Sequence, residues 1–326
     1  MNPKLSKALQ IILPLGLGIF LIWYSYNKFT PEELITIKEN FKSANYGWVL
    51  LSIVFALLSH FSRAYRWNYM LEPLGYRPKV PNNIMAVGIA YLMNMFIPRS
   101  GEVSRALVVK KYEGVPFDKA FGTIIAERVA DLVILGALVL IALLSQFDIL
   151  SAYIIDSLPQ EKLIFALVSL VVFVVVTILF FRYSNNAISK KIKTFLIGIK
   201  EGIFSILKMK NKWGFIFHTI FIWVMYLLMF YVCIFALPET SHINFPILIS
   251  AFVVGSFTIA FTNGGVGWYP FVIGKILLLY GIAETDGAAF GWIVWTAQFI
   301  MILIFGGVSF LILPFYNRKN KQKNES

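Results

Sequence analysis

Ile97-Pro98-Arg99-Ser100-Gly101-Glu102 breaks an apolar stretch in the first half of the chain, and Thr262-Asn263-Gly264-Gly265-Val266-Gly267-Trp268-Tyr269-Pro270 breaks another in the second half. Proline and glycine both disfavour a continuous helix. Apolar arms flank each break, 84–97 and 103–109 around the first and 246–262 and 271–280 around the second. The pattern predicts two helical hairpins, each with an irregular turn at its tip.

The composition predicts that these hairpins lie in a membrane. Hydrophobic residues make up 58% of the 326 residues and charged residues 14%, against about 45–50% and about 25% in soluble domains. A helix needs about 20 apolar residues to cross a bilayer. Six runs fit a crossing: 8–26, 46–66, 120–144, 163–181, 214–236 and 288–313. We predict an all-α polytopic membrane protein with six transmembrane helices and two re-entrant hairpins.

The charges of the loops predict the orientation, because cytoplasmic loops carry an excess of Lys and Arg. If both hairpins leave on the side where they entered, the basic segments all face the cytoplasm: the amino terminus, 67–83, 110–119, 182–213 and the tail 316–326. The more acidic loops then face outward: 27–45, 145–162, 237–245 and 281–287. We predict a bacterial cytoplasmic membrane protein with both termini in the cytoplasm. Its net charge of +12 is expected to attract anionic membrane lipids rather than nucleic acid.

The order of predicted segments repeats along the chain. Residues 8–144 and 163–313 each contain two spans, a hairpin and a third span, so the second half is inverted relative to the first. A glycine follows each hairpin, Gly114 and Gly281, and Ala-Phe-Gly opens the next span in both halves. Inverted repeats with interrupted helices are typical of transporters, whose substrate site lies at the midplane. We therefore predict one transporter-like membrane domain over residues 1–326.

Six ionisable residues lie in the first hairpin and in the span that follows it. They are Arg99, Glu102, Arg105, Glu127, Arg128 and Asp131. Such groups cost at least about 2.5 kcal/mol each in a membrane helix, so they are retained when they pair or line a polar pathway. Two interpretations stay open, namely a structural ion-pair network and a site where an arginine binds a phosphate.

The half-helix after the first break is predicted to point its amino-terminal end at the membrane centre, where free N–H groups favour an anion. We therefore predict that Arg99 and Arg105 contact a lipid phosphate. Under the repeat, Lys275 falls near the position of Arg105 and offers a second positive charge. The second break completes the predicted substrate site with Asn263, Gly264, Gly265, Gly267 and Tyr269.

The sequence lacks the motifs of several other chemistries. It contains no Walker A loop, dinucleotide-binding glycine pattern, His-Glu-x-x-His or Gly-x-Ser-x-Gly. The spacing of its three histidines and Cys233 does not suit a metal site. We expect no metal, no cofactor and no catalytic residue. Two alternatives to transport stay open: a membrane enzyme that acts on a lipid-linked substrate through Glu102 or Ser100, and a scaffold that docks through 182–213.

The motifs Pro98-Arg99-Ser100-Gly101-Glu102, Arg105, Glu127-Arg128-x-x-Asp131 and Asn263-Gly264-Gly265-Val266-Gly267 resemble the lysylphosphatidylglycerol synthase transmembrane-region family. That family includes the flippase domain of the multiple peptide resistance factor. The resemblance covers essentially the whole chain. It implies that residues 1–326 form one flippase-like membrane domain that binds or moves a phospholipid or an isoprenoid-linked lipid.

Two features depart from the family pattern. The second hairpin of the family usually reads Pro-Gly-Gly-x-Gly followed by a glutamate, whereas Asn263 replaces the leading proline here and Tyr269 stands at the position of the glutamate. The chain also carries no soluble aminoacyl-transferase domain, so we do not expect it to synthesise an aminoacylated lipid alone. The identity of the lipid, a homo-oligomer and a membrane partner are left open by the sequence.

Overall fold

A computed structural model describes residues 29–97, 99–147, 209–262 and 264–324 of the chain, with Phe20, Trp23 and Asn27. These residues form helices, turns and loops, and no strand occurs among them. Several predicted features lie outside the described residues: the spans 8–26 and 163–181, most of the loops 145–162 and 182–213, and Asn263.

The described residues contain nine α-helices. These are α1 (Pro31–Ser43), α2 (Tyr46–Leu71), α3 (Val80–Phe96), α4 (Ser100–Glu113), α5 (Phe117–Ser145), α6 (Lys212–Cys233), α7 (Phe245–Phe261), α8 (Trp268–Leu278) and α9 (Glu284–Asn324). Four helical stretches within this part are long and apolar enough to cross a membrane: Tyr46–Leu74, Phe117–Ser145, Lys212–Ala236 and Glu284–Arg318. They contain the predicted spans 46–66, 120–144, 214–236 and 288–313, which confirms a helical multi-pass membrane protein.

The same order of helices occurs twice among these elements. In each half a pair of shorter helices, α3–α4 or α7–α8, packs together between two long helices in the chain. Pro81 and Pro246 lie in the first turns of α3 and α7, where a missing N–H is tolerated. Gly114 and Gly281 follow the hairpins with φ angles of 69° and 82°, which glycine adopts without steric strain. The positive φ at these two positions explains why a glycine follows each hairpin in the sequence.

Close helix crossings hold the first hairpin in place. α3 packs against α2 and α9, and α4 packs against α5. At the crossing with α9, a Cβ added to Gly306 would lie 2.7 Å from the backbone oxygen of Gly88. Small residues allow membrane helices to approach closely and gain van der Waals contact. The first hairpin is therefore packed between long helices from both halves of the chain.

Candidate functional site

A buried ionic cluster joins α2, α4 and α5 beside the first hairpin. Glu127 accepts hydrogen bonds from Arg63 Nη1 at 2.7 Å and from both terminal nitrogens of Arg105 at 3.1 and 3.2 Å. Arg66 Nη2 lies 3.1 Å from the same carboxylate. Asp131 accepts hydrogen bonds from Arg63 at 2.8 Å and from Arg66 at 2.9 Å. We call these five residues the buried cluster, and all of them are buried.

Helix spacing places the members of the buried cluster opposite one another. Glu127 and Asp131 are four residues apart on α5, and Arg63 and Arg66 are three apart on α2, so each pair shares one helix face. Buried charges are tolerated when each is paired and hydrogen-bonded. Three guanidinium groups nevertheless face two carboxylates in the buried cluster. An excess of one positive charge therefore lies inside the membrane domain.

Arg105 links the first hairpin to the long helices. Its guanidinium carbon lies 4.0 Å from the centroid of the Trp67 ring, which adds a cation–π contact to its bonds with Glu127. The indole N–H of Trp67 donates to Thr123 Oγ1 at 2.9 Å. On the other side, Arg66 donates to Thr219 Oγ1 of α6 at 2.9 Å. The network thus fixes α4 against α2 and α5 and reaches the second half through α6.

A second, more exposed ion pair lies next to the buried cluster. Arg128 Nη2 is 3.2 Å from Glu102 Oε1, and the exposed fractions of the two side chains are 41% and 21%. Arg128 Nη1 also lies 3.7 Å from Asp131 Oδ2. This pair connects α4 to α5 at the edge of the network, where both side chains are partly exposed.

A narrow cleft adjoins both sets of charges. It is lined by Arg63, Val87, Ala90, Tyr91, Asn94, Glu102, Arg105, Ile124 and Arg128. Within the described part of the chain, four of these lining residues keep a buried polar atom without a hydrogen-bond partner: Glu102 Oε2 and the Nε atoms of Arg63, Arg105 and Arg128. An unsatisfied buried polar group costs about 1–3 kcal/mol. The cleft is therefore suited to a small polar or anionic group.

The turn at the tip of the first hairpin is closed by its own side chains. Ser100 Oγ donates to the backbone oxygens of Ile97 at 2.7 Å and Met93 at 3.0 Å. The Gly101 N–H donates to Asn94 Oδ1 at 2.7 Å. Arg99 adopts a left-handed conformation, with φ of 61°, which a side chain makes strained. Its side chain is exposed at the tip and does not line the described cleft.

The described site residues predicted in the second hairpin do not line this cleft. Gly264, Gly265 and Gly267 form a tight turn with φ of 66°, 78° and 72°, and the indole N–H of Trp295 donates to Gly264 O at 2.8 Å. Tyr269 is buried in an apolar cluster that the second half builds together with a few residues of the first. Lys275 forms an ion pair with Glu284 at the start of α9.

The described cleft is lined by the first half of the chain alone. Five of the predicted residues come together around it: Glu102, Arg105, Glu127, Arg128 and Asp131. Among the described residues, the second turn, Tyr269 and Lys275 do not line it. A contribution of the second hairpin to substrate binding stays a prediction.

Two arginines of the buried cluster were missed by the sequence analysis. Arg63 and Arg66 lie near the end of the predicted span 46–66, where a basic residue usually marks the membrane interface. The helix in fact continues to Leu71, so both arginines lie within it rather than at its end. Their spacing of three residues, which places both on one helix face as the spacing of four does for the acidic pair on α5, was the available signal.

Comparison with known proteins gives one family and two partial relatives. Residues 11–306 match the model of the lysylphosphatidylglycerol synthase transmembrane region. Glycosyltransferase AglD of Haloferax volcanii is 28% identical over 138 residues, which are 42% of this chain and 22% of AglD. A UPF0104 membrane protein of Methanocaldococcus jannaschii is 28% identical over 103 residues, 31% of this chain and 30% of that protein. The matches thus span less than a third of either relative, and no solved structure matches the chain.

Proposed function

The chain belongs to the lysylphosphatidylglycerol synthase transmembrane-region family, and from this membership and the chemistry of the cleft we propose a lipid flippase or lipid-binding transporter of the bacterial cytoplasmic membrane. Its ligand is an anionic phospholipid or an isoprenoid-linked lipid that presents a phosphate to the cleft. The observation that carries the proposal is the pair of guanidinium groups, Arg105 and Arg128, that line the cleft with an unpartnered Nε–H each.

The charge of the site supports a phosphate as the bound group. The buried cluster holds one more guanidinium than carboxylates, and a phosphodiester carries one negative charge. Guanidinium groups bind phosphate through parallel N–H···O bonds, and such bonds are stronger away from water. A lipid phosphate in the cleft would therefore balance the excess charge and satisfy the unpartnered donors together.

Loss of the more accessible arginine is expected to weaken lipid binding. A hydrogen bond to a charged group contributes about 1.5–3 kcal/mol, so Arg128→Gln should bind phosphatidylglycerol at least about tenfold more weakly. Native mass spectrometry of protein in maltoside micelles, titrated with phosphatidylglycerol, measures this. Arg77→Gln is the matched control, since Arg77 is an exposed arginine paired with Glu72 away from the cleft. Unchanged affinity in both Arg128→Gln and Arg105→Gln would contradict the proposal. The variant Arg99→Gln, measured in the same way, tests the predicted contact between Arg99 at the hairpin tip and the lipid phosphate.

Transport itself is measured in reconstituted vesicles that contain a fluorescent phosphatidylglycerol. The parent protein is expected to exchange the probe between leaflets faster than empty vesicles do, and Arg128→Gln more slowly than the parent.

A second candidate function is a membrane enzyme on a lipid-linked substrate, favoured by the partial likeness to a glycosyltransferase and by the unpartnered Oε2 of Glu102. The same vesicles separate the two, because a transporter leaves the mass of the probe unchanged. A scaffold would neither bind nor move the probe.

The proposed topology has six crossings, two re-entrant hairpins and two inverted repeats, with both termini in the cytoplasm. Its support is the repeated order of helices, in which each hairpin lies between long apolar helices, and the basic character of the segments that it assigns to the cytoplasm. In this arrangement both tips, at Ser100 and Gly265, lie within the membrane.

Cysteine labelling tests the first hairpin. In intact cells, Lys111→Cys should resist a membrane-impermeant thiol reagent, because the end of α4 returns to the cytoplasm in a re-entrant hairpin. It should react after the membrane is permeabilised. Glu32→Cys on the exposed face of α1 is the positive control and should react in intact cells. Labelling of Lys111→Cys from outside would show that α3 crosses the membrane.

A further inference from the structure

The arginines around the cleft differ in how tightly their partners hold them. Arg63, Arg66 and Arg105 are at most 3% exposed, and their carboxylate partners at most 10%. If an anion drew one of these arginines away, the buried carboxylate that it left would lose hydrogen bonds while still buried, at a high cost. Their ion pairs are therefore structural, and an incoming anion cannot replace those carboxylates.

The Arg128–Glu102 pair has the opposite character. It rests on one contact of 3.2 Å, while Glu102 Oε2 and Arg128 Nε have no hydrogen-bond partner in the described structure. Partly exposed ion pairs contribute little to stability, about 1 kcal/mol or less. A phosphate with two free oxygens could make two parallel bonds to the same guanidinium. Exchange of Glu102 for a phosphate would replace a weak contact with a stronger one.

The position of Glu102 makes this exchange a requirement for binding. Both members of the pair line the cleft, so a phosphate that reaches Arg128 also meets the Glu102 carboxylate, and like charges in close proximity repel. Once Glu102 turns away, four guanidinium groups face the two carboxylates of Glu127 and Asp131, which strengthens the attraction for an anion. The Glu102 side chain is 21% exposed, so it lies at the edge of the network rather than enclosed within it.

We infer that Glu102 is a built-in counter-ion that the phosphate of the ligand displaces from Arg128. This inference rests on the proposed function and deepens it. Glu102 occupies Arg128 while the cleft is empty of ligand, and it lowers the affinity for anions. It also sets the specificity, because only a group with two free oxygens gains enough from Arg128 to displace the carboxylate. A neutral ligand without such a group, such as diacylglycerol, is rejected.

Substitution of Glu102 should therefore strengthen anion binding. In phosphate-free maltoside micelles, Glu102→Gln is expected to bind phosphatidylglycerol about fivefold more tightly than the parent, which corresponds to loss of a partly exposed ion pair. Asp118→Asn is the control, because it removes the same charge from an exposed position at the start of α5. The double variant Glu102→Gln, Arg128→Gln should bind no more tightly than Arg128→Gln alone, since the competition acts through Arg128.

The outcomes separate this inference from the proposed function. If Glu102→Gln binds phosphatidylglycerol as the parent does, or more weakly, while Arg128→Gln still loses affinity, the exchange is wrong and the lipid site stands. If neither Arg128→Gln nor Arg105→Gln loses affinity, the proposed function itself fails. Inorganic phosphate is titrated in parallel: a gain with both ligands supports exchange by any phosphate, and a gain with phosphatidylglycerol alone assigns the lipid. Glu102→Asp, which shortens the side chain, should show a smaller gain and serves as the test if Glu102→Gln does not fold.

Discussion

Glu127→Gln is expected to lower the free energy of unfolding by about 3–5 kcal/mol, which is the cost of removing one charged partner from a buried ion pair. The Glu127 side chain is fully buried and lies within 3.1 Å of Arg63, Arg66 and Arg105. Glutamine removes the negative charge and brings an N–H₂ group against donors that cannot accept a hydrogen bond. Within the buried cluster, three guanidinium groups would then face one carboxylate, that of Asp131, which contacts Arg63 and Arg66.

The comparison for this prediction is Glu72→Gln, which makes the same chemical change in an ion pair with the exposed Arg77. That variant should change the stability by about 1 kcal/mol or less. Folded yield by size-exclusion chromatography and the midpoint of thermal unfolding in detergent report the difference. If Glu127→Gln is as stable as Glu72→Gln but fails to bind lipid, Glu127 acts on the ligand rather than as a structural residue.

The membrane character and the long helices could be predicted from the sequence, because they depend on local composition. The runs 46–66, 120–144, 214–236 and 288–313 each lie within a long apolar helix of the structure. The breaks were predictable for a similar reason. Ser100 and Gly101 close the first turn on Met93 and Asn94 of the preceding helix. The glycines of the second turn have the positive φ that their type favours.

The partners of the charged residues could be predicted only in part, because pairing between helices depends on tertiary packing. Glu127 and Asp131 are four residues apart, so their spacing alone indicates that they share a helix face. The arginines that neutralise them come mainly from α2, more than 60 residues earlier in the chain, as the separations of 64 and 68 residues for Arg63 show. A single sequence does not indicate which of several arginines will face a given acid.

The second half shows the limit of inference by internal repeat. Lys275 was placed near Arg105 by alignment of the two halves, yet it pairs with Glu284 nine residues along the chain. Tyr269, at the position where the family carries a glutamate, packs among apolar side chains. A repeat preserves the order of helices because the order depends on hydropathy. It does not preserve the chemistry at each position, so the second hairpin need not repeat the ionic cluster of the first.

Packing within the first hairpin leads to a further prediction. A Cβ at Gly101 would lie 2.2 Å from the backbone oxygen of Ala90 and 2.6 Å from Asn94 Nδ2. The side chain of Asn94 can rotate, but the carbonyl of Ala90 belongs to α3 and moves only if α3 and α4 separate. Overpacking of this kind costs about 1–3 kcal/mol. Gly101→Ala should therefore lower the thermal midpoint of the protein.

The same variant should lose affinity for phosphatidylglycerol, because α4 carries Arg105 and a shift of α4 displaces its guanidinium group from the cleft. Gly122→Ala provides the control: Gly122 is a helical glycine of α5 with no atom within 4 Å of an added Cβ. Alanine has a higher helix propensity than glycine, by up to about 1 kcal/mol, so this variant should match or exceed the parent in stability and bind lipid normally. Equal thermal midpoints and equal lipid affinities for Gly101→Ala and Gly122→Ala would show that close contact between α3 and α4 does not position the ionic cluster.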